Sequence, residues 1–543
     1  MKIVKSVLLL GTLLFAYKQM SFASMPKKGG TFYYNLKSTP TTLNPLSATD
    51  GYSSQVHSYT MESLLDRDID TYEWKPHLAE KFEVSDDGKV FTFTLRDGIK
   101  WHDGKPLTVE DVKFSFDALV HPENKYKTAH LKSYFEGIDR AEVVDKKTIK
   151  FYAKNKIYKN FDMVAGLLEV VPKHIYENPS KKQLKKLNKT IVGSGPYKFK
   201  SLKRGKGVTL VRNKDWWGFK VDELKKENNF DKIFMRFIKD STIAIQRLEK
   251  GDIDFQGLQP EEFEKKAVGD KWGKSVFKVK TENKAPAGYT FIGWNLKDKK
   301  FSDKKVREAL YHLINRPMMI DKFLYGYSVP ATGPQYLSSE YANKSVKPIP
   351  YDPKKALDIL RDAGWKDSDG DQVLDKVIDG NKVNLSFTIL EPNKDFVKYL
   401  TIFKEDAKKA GVDVKIKFIE WNSFIKALDE RNFEAVRLAW GGGSVDWDPK
   451  QIWHSSSIEN KGSNFVGYSN EKVDKWIDEA RLILDKEKRK KVLNKVYKEI
   501  AEDYPYAFLF NTKYTFYGHT KRAKRHKDTY TYGVGLGKWW LEK

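Results

Sequence analysis

The chain has 543 residues, 40% hydrophobic and 14% aromatic, with 98 basic against 73 acidic side chains and no cysteine. That composition supports a large interior divided among about two to four domains. It also excludes disulfides, thiolate metal ligands, cysteine nucleophiles and a lipoprotein-type lipid anchor. The formal charge of +25 comes from lysines interleaved with acids along the whole chain, which reads as a solvated basic surface without a nucleic-acid recognition motif.

The first residues, MKIVKSVLLLGTLLFAYKQMSFASMP, place Lys2 and Lys5 before an apolar run from Val7 to Ala16 and then Ser21-Phe22-Ala23. This pattern predicts a secretory signal peptide cleaved after Ala23, because the apolar run is about half of what a bilayer span needs. Cleavage would remove three lysines and no acid, taking the charge from +25 to +22. A soluble periplasmic protein without a lipid anchor is the expectation.

GTFYYNL and VFTFTL carry the β-branched and aromatic content of strands. In LTVEDVKFSFDAL, Thr108 and Asp111 have capping-box spacing, and Val112, Phe116 and Leu119 share a helical face. TIKFYA, VTLVRN and KIFMRFI read as strands, and STIAIQRLEKGDIDF as a helix that stops at Gly251 and passes into a strand. A further helix is expected from Ser302 as N-cap, with Val306, Ala309, Leu310, Leu313 and Ile314 on its apolar face. KVNLSFTIL, a helix ending at Gly411, VDVKIKFIEW and two amphipathic helices punctuated near Asp485 and ended before Pro505 complete the order. Strands alternating with helices in this way predict α/β domains with mixed sheets.

The stretch LAWGGGSVDWDPKQIWHSSS, residues 438–457, concentrates candidate chemistry. Asp446 and Asp448 could act as paired acids in a secreted hydrolase, which needs carboxyls roughly 5 to 9 Å apart. Ser194, flanked directly by glycines in VGSGPY, lacks the G-x-S-x-G context of a nucleophile and reads as a turn. No histidines have metalloprotease spacing; His102 reads as part of a turn with Asp103 and Gly104, and His454 as a packed or hydrogen-bonded residue. In DSDGDQVLD, Asp367, Asp369, Asp371 and Asp375, with the Val373 carbonyl, follow the spacing of a calcium loop. Gln372 and Ile378 stand where that loop needs glycine and glutamate, so a structural calcium competes with an ordinary solvated turn.

Four blocks in order, His77 to Leu119, Val192 to Phe199, FIGWNLKDKKFSDKKVREALYHLINR and SVPATGP, resemble the signatures of the family 5 extracellular solute-binding proteins. The resemblance implies a two-lobed periplasmic-binding-protein-like fold of type II, with an extra α+β domain inserted in the first lobe. The first lobe would comprise residues 25–66, 190–285 and 508–543, the insert 67–189, and the second lobe 286–507. It further implies a non-enzymatic monomer that takes no cofactor, captures a peptide or other small solute, and delivers it to an ABC permease and its ATPases. Nickel, haem, opines and sugars are cargo of other family members.

A receptor needs aromatic walls and free backbone groups. Trp440, Trp447 and Trp453 would supply walls and Gly441, Gly442 and Gly443 exposed backbone, and the resemblance implies a facing wall from ATDGYSSQV through Asp50, Tyr52 and Ser53. Asn295 would lie near the crossing between lobes. Peptide-binding members of the family carry an acid three residues after the tryptophan and a proline four after the acid. Here Trp440 and Pro449 are nine apart, and Asp446 is the nearest carboxylate for an α-amine.

Overall fold

A computed structural model describes residues 26–48, 50–121, 126, 129–459 and 462–542; the expected signal peptide lies outside them. Among the described residues no helix is long and apolar enough to cross a membrane.

A mixed seven-stranded sheet has Thr31–Asn35 near its middle, parallel to both Lys232–Arg236 and Phe255–Gly257. A second, six-stranded mixed sheet places Tyr289–Trp294 between Tyr506–Thr512 and Ala435–Trp440, antiparallel to both. A four-stranded antiparallel sheet, Ala79–Val84, Val90–Leu95, Thr148–Ala153 and Ile138–Val143, lies between the first and second contributions to the seven-stranded sheet.

Buried side chains form one core around the six-stranded sheet, including Phe291, Trp294 and Phe387. Another core joins Phe32 and Val56 of the first region to Phe93, Phe116 and Phe151 of the insert, so these two bodies are packed as one. His102 adds a polar clamp: its Nδ1 accepts the Gly193 N–H at 3.1 Å, and its Nε2 lies 3.0 Å from the Gly195 carbonyl. Burial pushes this histidine's pKa down to about 4. Ser194 between those glycines is fully buried, and a Cβ at Gly193 would sit 1.8 Å from the Thr60 carbonyl oxygen. These glycines therefore serve close packing, and a buried serine offers no exposed nucleophile.

The chain passes from the seven-stranded to the six-stranded sheet between Thr281 and Tyr289, and returns between Thr512 and Thr515. The return falls after the expected 507, because Tyr506–Thr512 continues as a buried strand of the six-stranded sheet.

Local signals decide most helix ends. Thr108 and Asp111 form the expected capping box, and Gly251 and Gly411 adopt φ of +75° and +76° just beyond their helices. Asp485 caps Lys486–Asp503 by accepting the Lys488 N–H at 2.8 Å. The N-cap expected at Ser302 belongs instead to Asp303, which accepts the Lys305 N–H at 2.9 Å. The Ser302 hydroxyl donates back to the Lys299 carbonyl and ends a separate short helix.

Parallel register of Ser386–Glu391 on Ala435–Trp440 sets Leu390 beside Val436, and the next step joins Glu391 to Arg437 as a buried ion pair. Arg437 also covers the Phe396 ring at 3.9 Å. Removing one partner leaves a desolvated charge, so Glu391→Ala is expected to lower the urea-unfolding free energy by about 3–5 kcal/mol. Replacing both partners with apolar residues should cost far less. Equal losses in the single and double variants would contradict this account.

Candidate functional site

A cavity of about 940 Å³ lies between the two main sheets and the inserted domain. One side is built where the strand Ala435–Trp440 runs out into glycine. Trp440 is held by Phe465 at 5.7 Å between ring centroids and by its indole N–H, which donates to the Tyr506 hydroxyl at 3.3 Å.

The three glycines that follow line the cavity, each in a different circumstance. A Cβ on Gly442 would fall 1.6 Å from the Pro286 carbonyl oxygen, Gly443 adopts φ +60°, and Gly441 has open space around it. Gly288 is constrained reciprocally, since its Cβ would lie 1.9 Å from the Trp440 carbonyl oxygen. The wall thus rests backbone to backbone on the segment that crosses between the sheets.

The opposite wall begins at Asp50, the N-cap of Gly51–Thr60, which accepts the N–H groups of Tyr52 at 3.0 Å and Ser53 at 3.2 Å. Tyr52 reaches across to Trp421, with ring centroids 5.5 Å apart in an edge-on contact. Burial, then the Asp50 charge, raises the Tyr52 pKa and keeps its hydroxyl protonated.

Of the residues singled out in the sequence, Asp50, Tyr52, Trp440, Gly441, Gly442, Gly443, Asp446 and Trp447 line the cavity. Ser53 does not: it is fully buried and donates to the Thr42 carbonyl at 2.7 Å while bonding Asp50. Trp453 is also fully buried, packed on Tyr506 at 4.7 Å, so it is core rather than wall. Asn295 ties two strand ends by donating to the Phe433 carbonyl at 2.8 Å, away from the cavity. His454 packs as expected, with Nδ1 accepting the Ser456 N–H at 3.1 Å and Nε2 lying 3.4 Å from Asp478.

Asp446 and Asp448 both border the cavity, yet each is engaged by protein. Asp446 accepts the Tyr341 hydroxyl at 2.7 Å and lies 3.9 Å from Arg489. Burial and then Asp446 raise the Tyr341 pKa, which keeps that donor protonated. Asp448 pairs with Arg481 at 3.0 Å, and Arg481 also binds Glu136 of the inserted domain. Burial pulls the Arg481 pKa down, but Asp448 and Glu136 together outweigh it and hold the guanidinium charged. Tyr158 of the insert donates to the Trp447 carbonyl, and Arg489 covers its ring at 3.8 Å. On the other flank, Lys239 pairs with Glu420 and Lys398 with Glu261. Contacts between the lobes and the insert therefore flank the cavity on both sides.

Several lining residues carried no usable signal in the sequence. Trp421 stood at a strand end, and Arg67, Tyr72, Trp74, Lys159 and Asp162 come from the inserted region. Tyr72 has φ +64°, and its hydroxyl accepts the Val445 N–H at 3.3 Å across the cleft. The interleaved TYEW around Tyr72 and Trp74 was the only hint, and it looks like an ordinary turn.

Away from the cavity, the acidic loop brings carboxylate oxygens of Asp367, Asp369 and Asp375 within 4.8 Å of one another. Gln372 adopts φ +67°, the conformation for which calcium loops use glycine, while Asp371 accepts the Val373 N–H at 2.8 Å. The Lys382 ammonium bonds Asp369 and lies 3.5 Å from Asp375, so a side chain already supplies positive charge there.

Two sheets joined by two chain crossings around an aromatic-lined cavity define a solute-binding protein of the two-lobed type, with an inserted domain. Residues 73–463 match the family described as "Bacterial extracellular solute-binding proteins, family 5 Middle", and the chain belongs to that family. It is 30% identical over 530 residues to the oligopeptide-binding protein AppA of Bacillus subtilis, covering 96% of this chain and 93% of AppA. The structure of that AppA in complex with a nonapeptide superposes with a TM-score of 0.85 at 29% identity, over 95% of this chain and all of AppA. NikZ from Campylobacter jejuni in complex with Ni(L-His) superposes with a TM-score of 0.77 at 26% identity, covering 95% of this chain and all of NikZ. The protein is a non-enzymatic binding component of a transport system, and the paired-acid hydrolase reading has no support.

Gly442→Ala must displace the crossing segment and is expected to cost about 1–3 kcal/mol in denaturant unfolding. Gly441→Ala should stay within about 0.5 kcal/mol of the parent. Similar losses in both would mean that the approach to Pro286 is not what fixes the glycine.

Proposed function

We propose that the protein captures short peptides in the cavity and hands them, as a monomer in the periplasm, to an ABC permease driven by paired ATPases. The signal peptide would be cleaved after Ala23 to release it there. The lobes, divided as residues 25–66, 190–285 and 513–543 against 286–512 with 67–189 inserted, would open about the crossing segments and close on the ligand. Closure is stabilised only as far as the ligand touches both walls.

One observation carries the reading: an aromatic wall and exposed glycine backbone at Trp440–Gly443 face Tyr52 across a cavity of about 940 Å³. Flat rings accept varied apolar side chains, and unobstructed backbone groups can pair with a peptide main chain. That volume is near the upper end of the roughly 300–1,000 Å³ range of small-ligand sites. The similarity to AppA, an oligopeptide-binding protein, agrees with this choice over a metal complex.

Recognition by walls and backbone fits the engagement of Asp446. Because Tyr341 and Arg489 already hold that carboxylate, Asp446→Asn is expected to change peptide affinity less than about threefold in calorimetry. A loss of about 2 kcal/mol or more would assign Asp446 the role of amine anchor. The peptide reading itself is tested by denaturing freshly purified protein and identifying the released solute by mass spectrometry. Short peptides are expected; a sugar, an opine or a metal complex in their place would overturn it.

A further inference from the structure

The inserted domain contributes charged groups to the cavity wall. Lys159, only 5% exposed, lines the cavity; its ammonium donates to Asp162 Oδ2 at 2.7 Å and to the Ser444 hydroxyl at 2.9 Å. Arg67, also lining it, donates from Nη2 to Asp162 Oδ1 at 2.9 Å and from Nη1 to the Tyr72 carbonyl at 2.7 Å. The Trp74 indole donates to the same Asp162 oxygen at 3.1 Å, and the Arg67 guanidinium lies 3.6 Å above the Trp74 ring.

Two cations therefore share the Asp162 carboxylate, leaving a formal charge of +1 over these three groups, of which Lys159 is buried and Arg67 and Asp162 are part-buried. Burial without full neutralisation is costly, and an incoming anion offsets that cost. An ammonium has three donors, of which these partners use two.

The two acids that follow Ser444 are committed elsewhere. Asp446 is turned to Tyr341 and Arg489, and Asp448 to Arg481. Asp66, beside Arg67, also lines the cavity, but it is exposed to solvent, which screens its charge, and it accepts the Arg67 backbone N–H at 2.8 Å.

We propose that Arg67, Lys159 and Ser444, with Asp162 shared between the two cations, form a carboxylate subsite through which the inserted domain holds one end of the ligand. This rests on the peptide reading above and adds to it a preference for ligands bearing a free carboxylate. Ser444 brings the second lobe to the same point, so a bound carboxylate would bridge the insert and that lobe.

The test exposes the full-length mature protein to a library of short synthetic peptides, each present as free acid and as C-terminal amide, and quantifies retained peptides by mass spectrometry. Free acids are expected to be retained about tenfold over their amides, as for a charge-assisted contact. Amides that carry a glutamate side chain, retained as well as free acids, would assign the subsite to side-chain carboxylates and support the same chemistry. In Lys159→Met and in Arg67→Gln the acid-to-amide ratio should fall towards one, while Lys159→Arg keeps it. A merely structural ion pair would lower retention of both forms alike and leave the ratio unchanged.

Retention of acids and amides in equal amounts by the parent protein overturns the subsite and leaves the peptide reading standing. Retention of no peptide at all overturns the peptide reading, and the subsite with it. The parent protein alone decides the matter even if a variant fails to fold.

Discussion

The backbone of Trp440–Gly442 lies against Pro286–Gly288, closer than any side chain would permit. That contact seats the aromatic wall on one of the two segments that connect the lobes, so the position of the wall and the path of the crossing are set together. Gly288 and Gly442 need no unusual φ for this; the lack of a Cβ is what the approach requires. Gly443 then turns the chain with φ +60° into the loop that meets the inserted domain.

The same loop divides its polar groups between two tasks. Asp448 and the Trp447 carbonyl face Arg481 and Tyr158, which join the second lobe to the insert. Asp446 is drawn towards Tyr341 and Arg489. Aromatic faces and glycine backbone are left to meet a ligand. A wall of that kind recognises shape and main chain more than one terminal charge, and the charge that does remain, at Arg67 and Lys159, belongs to the insert.

Much of the architecture was legible because it is written in local chemistry. Capping by Thr108 and Asp111, the stops at Gly251 and Gly411, and the break at Asp485 all need only neighbouring residues. Ser302 was misread because Asp303 next to it is the capping side chain, and spacing alone does not separate adjacent candidates. Trp453 and Ser53 look in sequence like the wall residues beside them, yet their sides of the backbone face the interior. Asp446 could be found, but its partners Tyr341 and Arg489 lie far along the chain. The charged corner of Arg67, Lys159, Asp162 and Ser444 was invisible for the same reason: three segments meet there only after folding.

The most direct test of a cleft that closes around its solute is small-angle X-ray scattering of the mature protein, stripped of solute and then saturated with a retained peptide. The account predicts a smaller radius of gyration with peptide bound, as the lobes close about the crossings at Glu282–Gly288 and Lys513–Tyr514. An unchanged radius at saturation would contradict it.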